Sequence, residues 1–103
     1  MAELTVIWWR AIPAQVVARE GRTTARAQLT SRFQEAIDMA ATRVGLIGTD
    51  DYLNEWHREA RPCGDDLDAE AAVEAARLER AYTDETLDGL VRAGGLANDE
   101  EPS

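Results

Sequence analysis

Alternation between the two faces of a strand is the clearest pattern near the N-terminus, where residues 4–10 read LTVIWWR. β-Branched and aromatic side chains of this kind are typical of a strand, and the run is too short for a helix. Successive strand residues point to opposite faces, so the pattern predicts two sets of neighbours. One set is Leu4, Val6 and Trp8, and the other is Thr5, Ile7 and Trp9. Because both sets are largely apolar, we expect a central strand.

The following segment predicts a hairpin partner for this strand. Pro13 cannot donate a backbone hydrogen bond and fixes its own φ, so we expect residues 11–14 to form a short loop. Residues 15–20 then predict a second, antiparallel strand. Residues 23–29 fit either a third strand of a meander or an Arg-rich loop, and we favour the strand.

Four further segments have the spacing of amphipathic helices, and each begins at a residue that can cap it. We expect them to begin at Ser31, Thr49, residues 64–66 and Thr83. In the first helix, Ser31 and Gln34 have the spacing of a capping box, and Phe33 and Ile37 lie on the buried face. Residues 58–63 should be extended and are a candidate strand, because Pro62 disfavours a helical conformation in the residue before it.

Together these elements predict an α+β fold, in which a small antiparallel sheet of two to four strands is led by the N-terminal β-hairpin. We expect the helices to pack mainly on one face of the sheet. Residues 1–95 are expected to form a single domain. Residues 96–103, LANDEEPS, are expected to be a disordered acidic tail, because they bury too little apolar surface to offset the entropy of ordering them.

The charges narrow the range of partners. A net charge of −9 at pH 7 argues against a nucleic-acid partner, which needs a basic face. Residues 1–48 carry six Arg against four acidic residues, whereas residues 49–103 carry five Arg against sixteen. No apolar run is long enough to cross a membrane and no secretion signal precedes the first strand, so we expect a cytoplasmic protein without a membrane partner. A single cysteine excludes an internal disulfide.

Candidate catalytic and metal-binding residues are sparse. His57 and Cys63 could form a nucleophilic couple, but no third partner accompanies them, and the carboxylates that follow Cys63 oppose a thiolate. The acidic residues between 65 and 70 are explained by the start of a helix, where carboxylates cap N–H groups and interact favourably with the dipole. We therefore predict no catalytic residue, no metal site and no cofactor.

Four segments resemble a known family in order and spacing. They are IWWRAIPAQV at residues 7–16, RFQEAIDMAA at 32–41, DYLNEW at 51–56 and PCGDDL at 62–67. Across residues 4–95 the chain resembles the small bacterial domain family named virulence factor, and it looks like a stand-alone member. The resemblance assigns no catalytic residue. It implies an accessory protein of corrinoid- and tetrahydrofolate-dependent one-carbon metabolism.

The two adjacent tryptophans offer a candidate docking face. On a strand they point to opposite sides, so we expect Trp8 to be buried and Trp9 to be exposed. Helices that wrap both faces of the sheet would instead bury both. Exposed aromatic side chains are enriched at protein interfaces, so the exposed face is expected to dock a partner or a second copy. That face would hold Thr5, Ile7 and Trp9, with Val17 or Ala18 alongside.

Arginines cluster on the same hairpin and on the approach to the first helix. Guanidinium groups pair well with carboxylates or phosphates, which would suit an interface. Two other interpretations remain open: a solvated edge whose charges prevent strand-to-strand aggregation, and ion pairs to the acidic second half of the chain. The cluster comprises Arg19, Arg22, Arg26 and Arg32. The predicted partner-binding residues are Ile7, Trp9, Arg10, Arg19, Arg22 and Arg26.

We therefore predict a non-catalytic accessory or adaptor protein that binds another protein, or a second copy of itself, through the sheet face and the Arg-bearing edge. The alternative is a small-ligand-binding or catalytic domain, in which the tryptophans and Arg10 form a platform for an anion or a cofactor. A large concave pocket lined by Trp and Arg would favour the alternative. A flat apolar face would favour the adaptor.

Overall fold

The computed structural model of the protein describes residues 2–96, which form one four-stranded sheet and four α-helices. In chain order the elements are β1 (Glu3–Trp9), β2 (Ile12–Glu20), β3 (Thr23–Gln28), α1 (Ser31–Arg43), α2 (Asp50–Asn54), β4 (Trp56–Pro62), α3 (Leu67–Ala81) and α4 (Asp84–Arg92). The strand order is β3-β2-β1-β4, and every neighbouring pair is antiparallel. This is the predicted α+β fold, and both undecided segments are strands. Of the predicted tail, only Leu96 lies within the described residues.

The β1–β2 hairpin is tighter than predicted, because Pro13 lies inside β2 and not in the loop. Only Arg10 and Ala11 connect the strands, and Arg10 has a positive φ of 52°. A register shift near this end of the hairpin absorbs one extra residue of β2. Pro13 also lies beyond the last β2–β3 pair, Gln15 with Gln28, so β3 requires no N–H group from it.

The core lies between one face of the sheet and helices α1 and α3. The strand residues that enter it alternate along the chain: Leu4, Val6, Val16, Ala18 and Ala25. Helix α1 contributes Phe33 and Ile37, as predicted, and α3 contributes Leu78. Helix α4 packs on α1 and buries Leu87 and Leu90. Each large side chain buried in this way contributes roughly 1.5–3 kcal/mol to the free energy of unfolding.

The start of α1 is fixed by α3 and not by the predicted capping box. The N-cap residue is Thr30, not Ser31, and its side chain makes no capping hydrogen bond. Its backbone N–H and its hydroxyl instead donate to the Glu79 carboxylate, at 2.7 and 3.0 Å, and Arg32 donates to the same carboxylate at 3.0 Å. Burial opposes ionisation, but these hydrogen bonds outweigh it and lower the pKa of Glu79. A long-range ion pair therefore holds this helix end.

Trp9 is fully buried, so the prediction that it faces outward is wrong. The unbroken β1–β4 pairing keeps it on the same sheet face as Thr5 and Ile7, but α2 and the turn after α4 cover that end of the face. Its indole N–H donates to the Tyr52 carbonyl at 3.0 Å, and Gly95 lies against its ring. Residues remote in sequence therefore supply a cover that the strand pattern could not predict.

Trp8 points to the helix-covered side, as predicted, but it is only half-buried. Its ring stacks on His57, with the centroids 6.4 Å apart and the planes 5° apart. The ring of Tyr82 meets it edge-on at 6.2 Å. Burial is incomplete because the neighbouring strand β4 is exposed along most of its length. Both tryptophans therefore belong to the fold.

The Trp9 cover generates the first prediction, on Gly95→Ala. Gly95 has a φ of +90°, and a Cβ atom there would lie 2.8 Å from Cζ3 of the buried Trp9 ring. The matched control is Gly48→Ala, because Gly48 has a φ of +79° with nothing within 4 Å of the added carbon. Left-handed strain alone costs about 1–2 kcal/mol, and overpacking adds about 1–3 kcal/mol. We expect urea unfolding followed by Trp fluorescence to show the larger loss for Gly95→Ala. Equal losses would mean that the Trp9 ring is free to move.

Glu74 is the charged side chain that is buried among residues 2–96, and it connects α3 to β4. Arg77 donates two hydrogen bonds to its carboxylate, at 2.6 and 2.9 Å, and Arg61 of β4 donates a third at 3.4 Å. The hydrogen bonds from Arg77 lower the pKa of Glu74, and they outweigh the opposing effect of burial. The sequence pattern does not single out this residue, because a carboxylate is expected on the exposed face of an amphipathic helix.

The second prediction concerns the pH dependence that Glu74 imposes on stability. A carboxyl whose folded pKa lies below its ordinary value of 4.5 stabilises the fold fully above that pH, and the contribution is lost as the pH falls through the folded pKa. Glu74→Gln should therefore cost about 1–3 kcal/mol at neutral pH, with the difference from wild type shrinking below about pH 4.5. Chemical unfolding at several pH values measures this. The control is Glu35→Gln, at an exposed side chain that makes no ion pair among residues 2–96, and it should cost little at neutral pH. A pH-independent loss for Glu74→Gln would contradict the prediction.

Candidate functional site

The sheet face opposite α1 and α3 is uncovered over its central part and contains a depression of about 170 Å³. We call this surface the open face. Every strand contributes to it, and its lining residues are Thr5, Ile7, Gln15, Val17, Arg19, Thr24, Arg26 and Arg58. The floor residues on the two central strands are half-buried, whereas the arginines and Thr24 are exposed. The lining is therefore a half-buried floor with a charged rim.

The pairing register explains why residues so far apart in sequence meet here. Val17 lies opposite Thr5 on β1 and opposite Arg26 on β3. Two residues further along, and so on the same face, Ile7 lies opposite Gln15 on β2 and opposite Arg58 on β4. Directly paired residues of antiparallel strands point to the same side of the sheet. Two adjacent rows of the sheet therefore build the centre of the open face.

The arginines of the open face have no ion pair within the described part of the chain. No carboxylate of residues 2–96 lies within 4.0 Å of the guanidinium groups of Arg19, Arg26 or Arg58. Glu3 is paired with Arg19 across the β1–β2 ladder, yet the two make no ion pair. The arginines that do form ion pairs lie elsewhere, at Arg10, Arg32, Arg61, Arg77 and Arg92. Within residues 2–96, no carboxylate therefore neutralises the positive charge of the open face.

The structure brings together half of the predicted site residues. Ile7, Arg19 and Arg26 line the depression. Arg22 is exposed in the turn between β2 and β3, outside the residues that line it. Trp9 is buried. The predicted aromatic contact is therefore absent from this surface, and a polar one takes its place.

Arg10 is also committed within the fold and not to a partner. Its guanidinium donates to the Gly94 carbonyl at 2.8 Å and to the Glu55 carboxylate at 3.3 Å. It also lies over the Trp9 ring, 5.2 Å from the centroid. Arg32, the last of the predicted cluster, binds Glu79 and Asp84, so the expectation of ion pairs with the acidic half holds for this residue.

Arg58 is the charged site residue that sequence reasoning missed, along with the polar lining residues Gln15 and Thr24. It enters the open face only because β4 pairs with β1, and the sequence left the strand character of this segment undecided. Arg61, three residues later, points to the helix-covered side of the sheet. Strand alternation would therefore have assigned Arg58 to the open face once the strand was known. Val17, and not Ala18, completes the face predicted around Thr5 and Ile7, because Ala18 is buried in the core.

The structure does not bring His57 and Cys63 together. They lie at opposite ends of β4, six residues and therefore roughly 20 Å apart along the strand. Burial raises the pKa of the Cys63 thiol, and the Glu70 carboxylate adds to the effect, so the thiolate is disfavoured. Asp66 caps α3 by accepting from the Ala69 N–H at 3.2 Å. No group of three or more His, Cys, Asp or Glu side chains in residues 2–96 is arranged to hold a metal ion.

A larger depression, of about 460 Å³, lies between α1 and α4 but offers less chemistry. It is wide open and mostly apolar, and Met39 and Val91 form much of it. Its arginine, Arg43, donates to the Arg92 carbonyl at 3.1 Å. Among residues 2–96, no helix is long and apolar enough to cross a membrane.

The third prediction separates arginines of the open face from arginines of the fold. Arg26→Gln and Arg58→Gln should each change the free energy of unfolding by less than about 0.5 kcal/mol, because both side chains are exposed and form no ion pair with residues 2–96. Arg32→Gln should cost about 1–3 kcal/mol, because Arg32 donates to the carbonyls of Tyr82 and Glu79 as well as to carboxylates. Thermal or urea unfolding of the three variants measures the contrast. A large loss for Arg26→Gln or Arg58→Gln would give the open face a structural role.

Comparison with known proteins gives one match. The family model described as virulence factor matches residues 7–91, which include all of the open face except Thr5. No significant match was found among curated proteins or among solved structures.

Proposed function

We propose that this chain, which belongs to the virulence factor family, is a non-catalytic adaptor that binds an acidic surface of another protein through its open face. The observation that carries the proposal is a set of three arginines, Arg19, Arg26 and Arg58, that border one uncovered depression and form no ion pair with any carboxylate of residues 2–96. In a protein with a net charge of −9, leaving these side chains unpaired concentrates positive potential on one face. The chemistry of that face is complementary to carboxylates.

Charge also argues against a symmetric dimer through the open face. A two-fold contact would bring the same surface of each copy together, and the arginines would then face arginines. Like charges in direct contact cost several kcal/mol. A second copy could contribute only through its acidic second half, which would be a head-to-tail contact. A different protein with an acidic surface is therefore the partner that we propose.

The alternative function, a small-ligand platform formed by the tryptophans and Arg10, is not favoured, because its residues are engaged within the fold. Trp9 is buried, and the guanidinium of Arg10 is held by Gly94 and Glu55. The depression on the open face, at about 170 Å³, is also smaller than the roughly 300–1,000 Å³ of typical ligand pockets. The family resemblance supports looking for the protein partner among the components of corrinoid- and tetrahydrofolate-dependent methyl transfer.

The fourth prediction tests the adaptor function by affinity capture from a bacterial extract, with the bound proteins identified by mass spectrometry. The double variant Arg26→Gln/Arg58→Gln should lose the captured protein, because it removes positive charge from both edges of the open face. The matched control, Arg43→Gln/Arg80→Gln, removes the same charge from exposed positions on the helices and should retain it. Capture should also weaken with added salt. Equal capture by the two double variants would refute the proposal.

A further inference from the structure

From the size and chemistry of the depression, we infer that it receives one acidic side chain of the partner, a glutamate, which inserts between Arg26 and Arg58. This inference rests on the proposed function and identifies the chemical group that the open face recognises. It distinguishes recognition of a single inserted residue from a general attraction between oppositely charged surfaces.

The volume limits what can enter. A water molecule occupies about 30 Å³ in the liquid, so about 170 Å³ corresponds to between five and six waters. The volume is below the roughly 300–1,000 Å³ of typical ligand pockets and suits a single side chain. The occupant is therefore one side chain of a protein surface, with the rest of the partner lying outside the rim.

The polar side chains around the depression favour an anion. Polar atoms make up most of the lining, and the guanidinium groups can bind the two oxygens of a carboxylate as a fork. The hydroxyls of Thr5 and Thr24 and the amide of Gln15 supply further donors. A carboxylate that leaves water must have its oxygens bonded, and this arrangement provides more than one donor for each.

The positions of the arginines suit insertion from above. Arg26 is on β3 and Arg58 is on β4, the two edge strands, so three strand spacings, roughly 14 Å, separate their backbones across the sheet, and Arg58 lies two residues further along it. Their long side chains line the same depression and so approach an anion at its centre from opposite sides. Arg19, on β2, borders it at one end.

The floor selects glutamate over a free anion. Ile7 and Val17 are half-buried and present aliphatic surface at the centre of the sheet. The two methylene groups of a glutamate would cover this surface while its carboxylate reaches the arginines. Aspartate has one methylene fewer, and inorganic phosphate has none. We therefore expect affinity to fall in the order glutamate, aspartate, phosphate.

The fifth prediction tests this order by NMR titration of the full chain with defined probes. The probes are a blocked glutamate-rich peptide, the same peptide with aspartate or glutamine at each glutamate, and sodium phosphate. The glutamate peptide should shift the methyl signals of Ile7 and Val17 together with the Nε–H signal of Arg58, and should saturate. The glutamine peptide should bind at least about tenfold more weakly. Phosphate should shift the arginine signals without the methyl signals.

Variants make the outcome decisive. Arg58→Gln should lower the affinity for the glutamate peptide by about tenfold or more. The affinity of Arg58→Lys should lie between those of Arg58→Gln and wild type, and Arg80→Gln should bind the peptide as wild type does. Unfolding midpoints confirm that each variant is folded.

Equal affinity for the glutamate and glutamine peptides, or phosphate that moves the same methyl signals, would overturn the inference. If capture from extract still depends on Arg26 and Arg58 while no peptide moves the methyl signals, the inference falls and the adaptor proposal stands. If the peptide binds but capture does not depend on these arginines, the adaptor proposal falls instead.

Discussion

The indole of Trp9 holds together three parts of the chain that are distant in sequence: the hairpin loop, α2 and the turn that follows α4. It donates to the Tyr52 carbonyl, packs against Gly95 and lies under the guanidinium of Arg10. Fixing these segments around one large aromatic side chain closes one end of the second sheet face. The cover stops there. Ile7, two residues earlier on the same face, is left in the open part of the sheet, so the position of Trp9 also sets the boundary of the open face.

The arginines fall into two groups, and this division makes the open face positively charged. Arg10, Arg32 and Arg61 are each bound to acidic residues from the second half of the chain, and they join elements of the fold. The arginines of the open face are not neutralised in this way by the described residues. Because the protein as a whole is acidic, it repels acidic partners at distances up to about the Debye length of 8–10 Å. Under the proposed function, a partner would offset that repulsion by presenting its carboxylate at the open face, and this requirement would favour specificity over affinity.

Much of the architecture followed from local patterns, whereas the open face depended on strand pairings that local patterns do not contain. Strand alternation put Thr5 and Ile7 on one face correctly, and helical spacing identified Phe33 and Ile37 as core. The exposure of Trp9 was predicted wrongly, because residues more than forty positions away cover it. Arg58 was missed for a related reason, since its place on the open face depends on β4 pairing with β1.

The exposed strand β4 carries a consequence for local stability. It has a neighbour on one edge only, and most of its residues are exposed on both faces. An element with so little cover opens more readily than the core, so its amide protons should exchange with solvent ahead of those of β1 and β2. Arg58 leaves the open face whenever β4 detaches. A partner bound to Arg58 would therefore oppose the detachment of β4. The exchange protection of the β4 amides alone would then report how much of the open face is occupied.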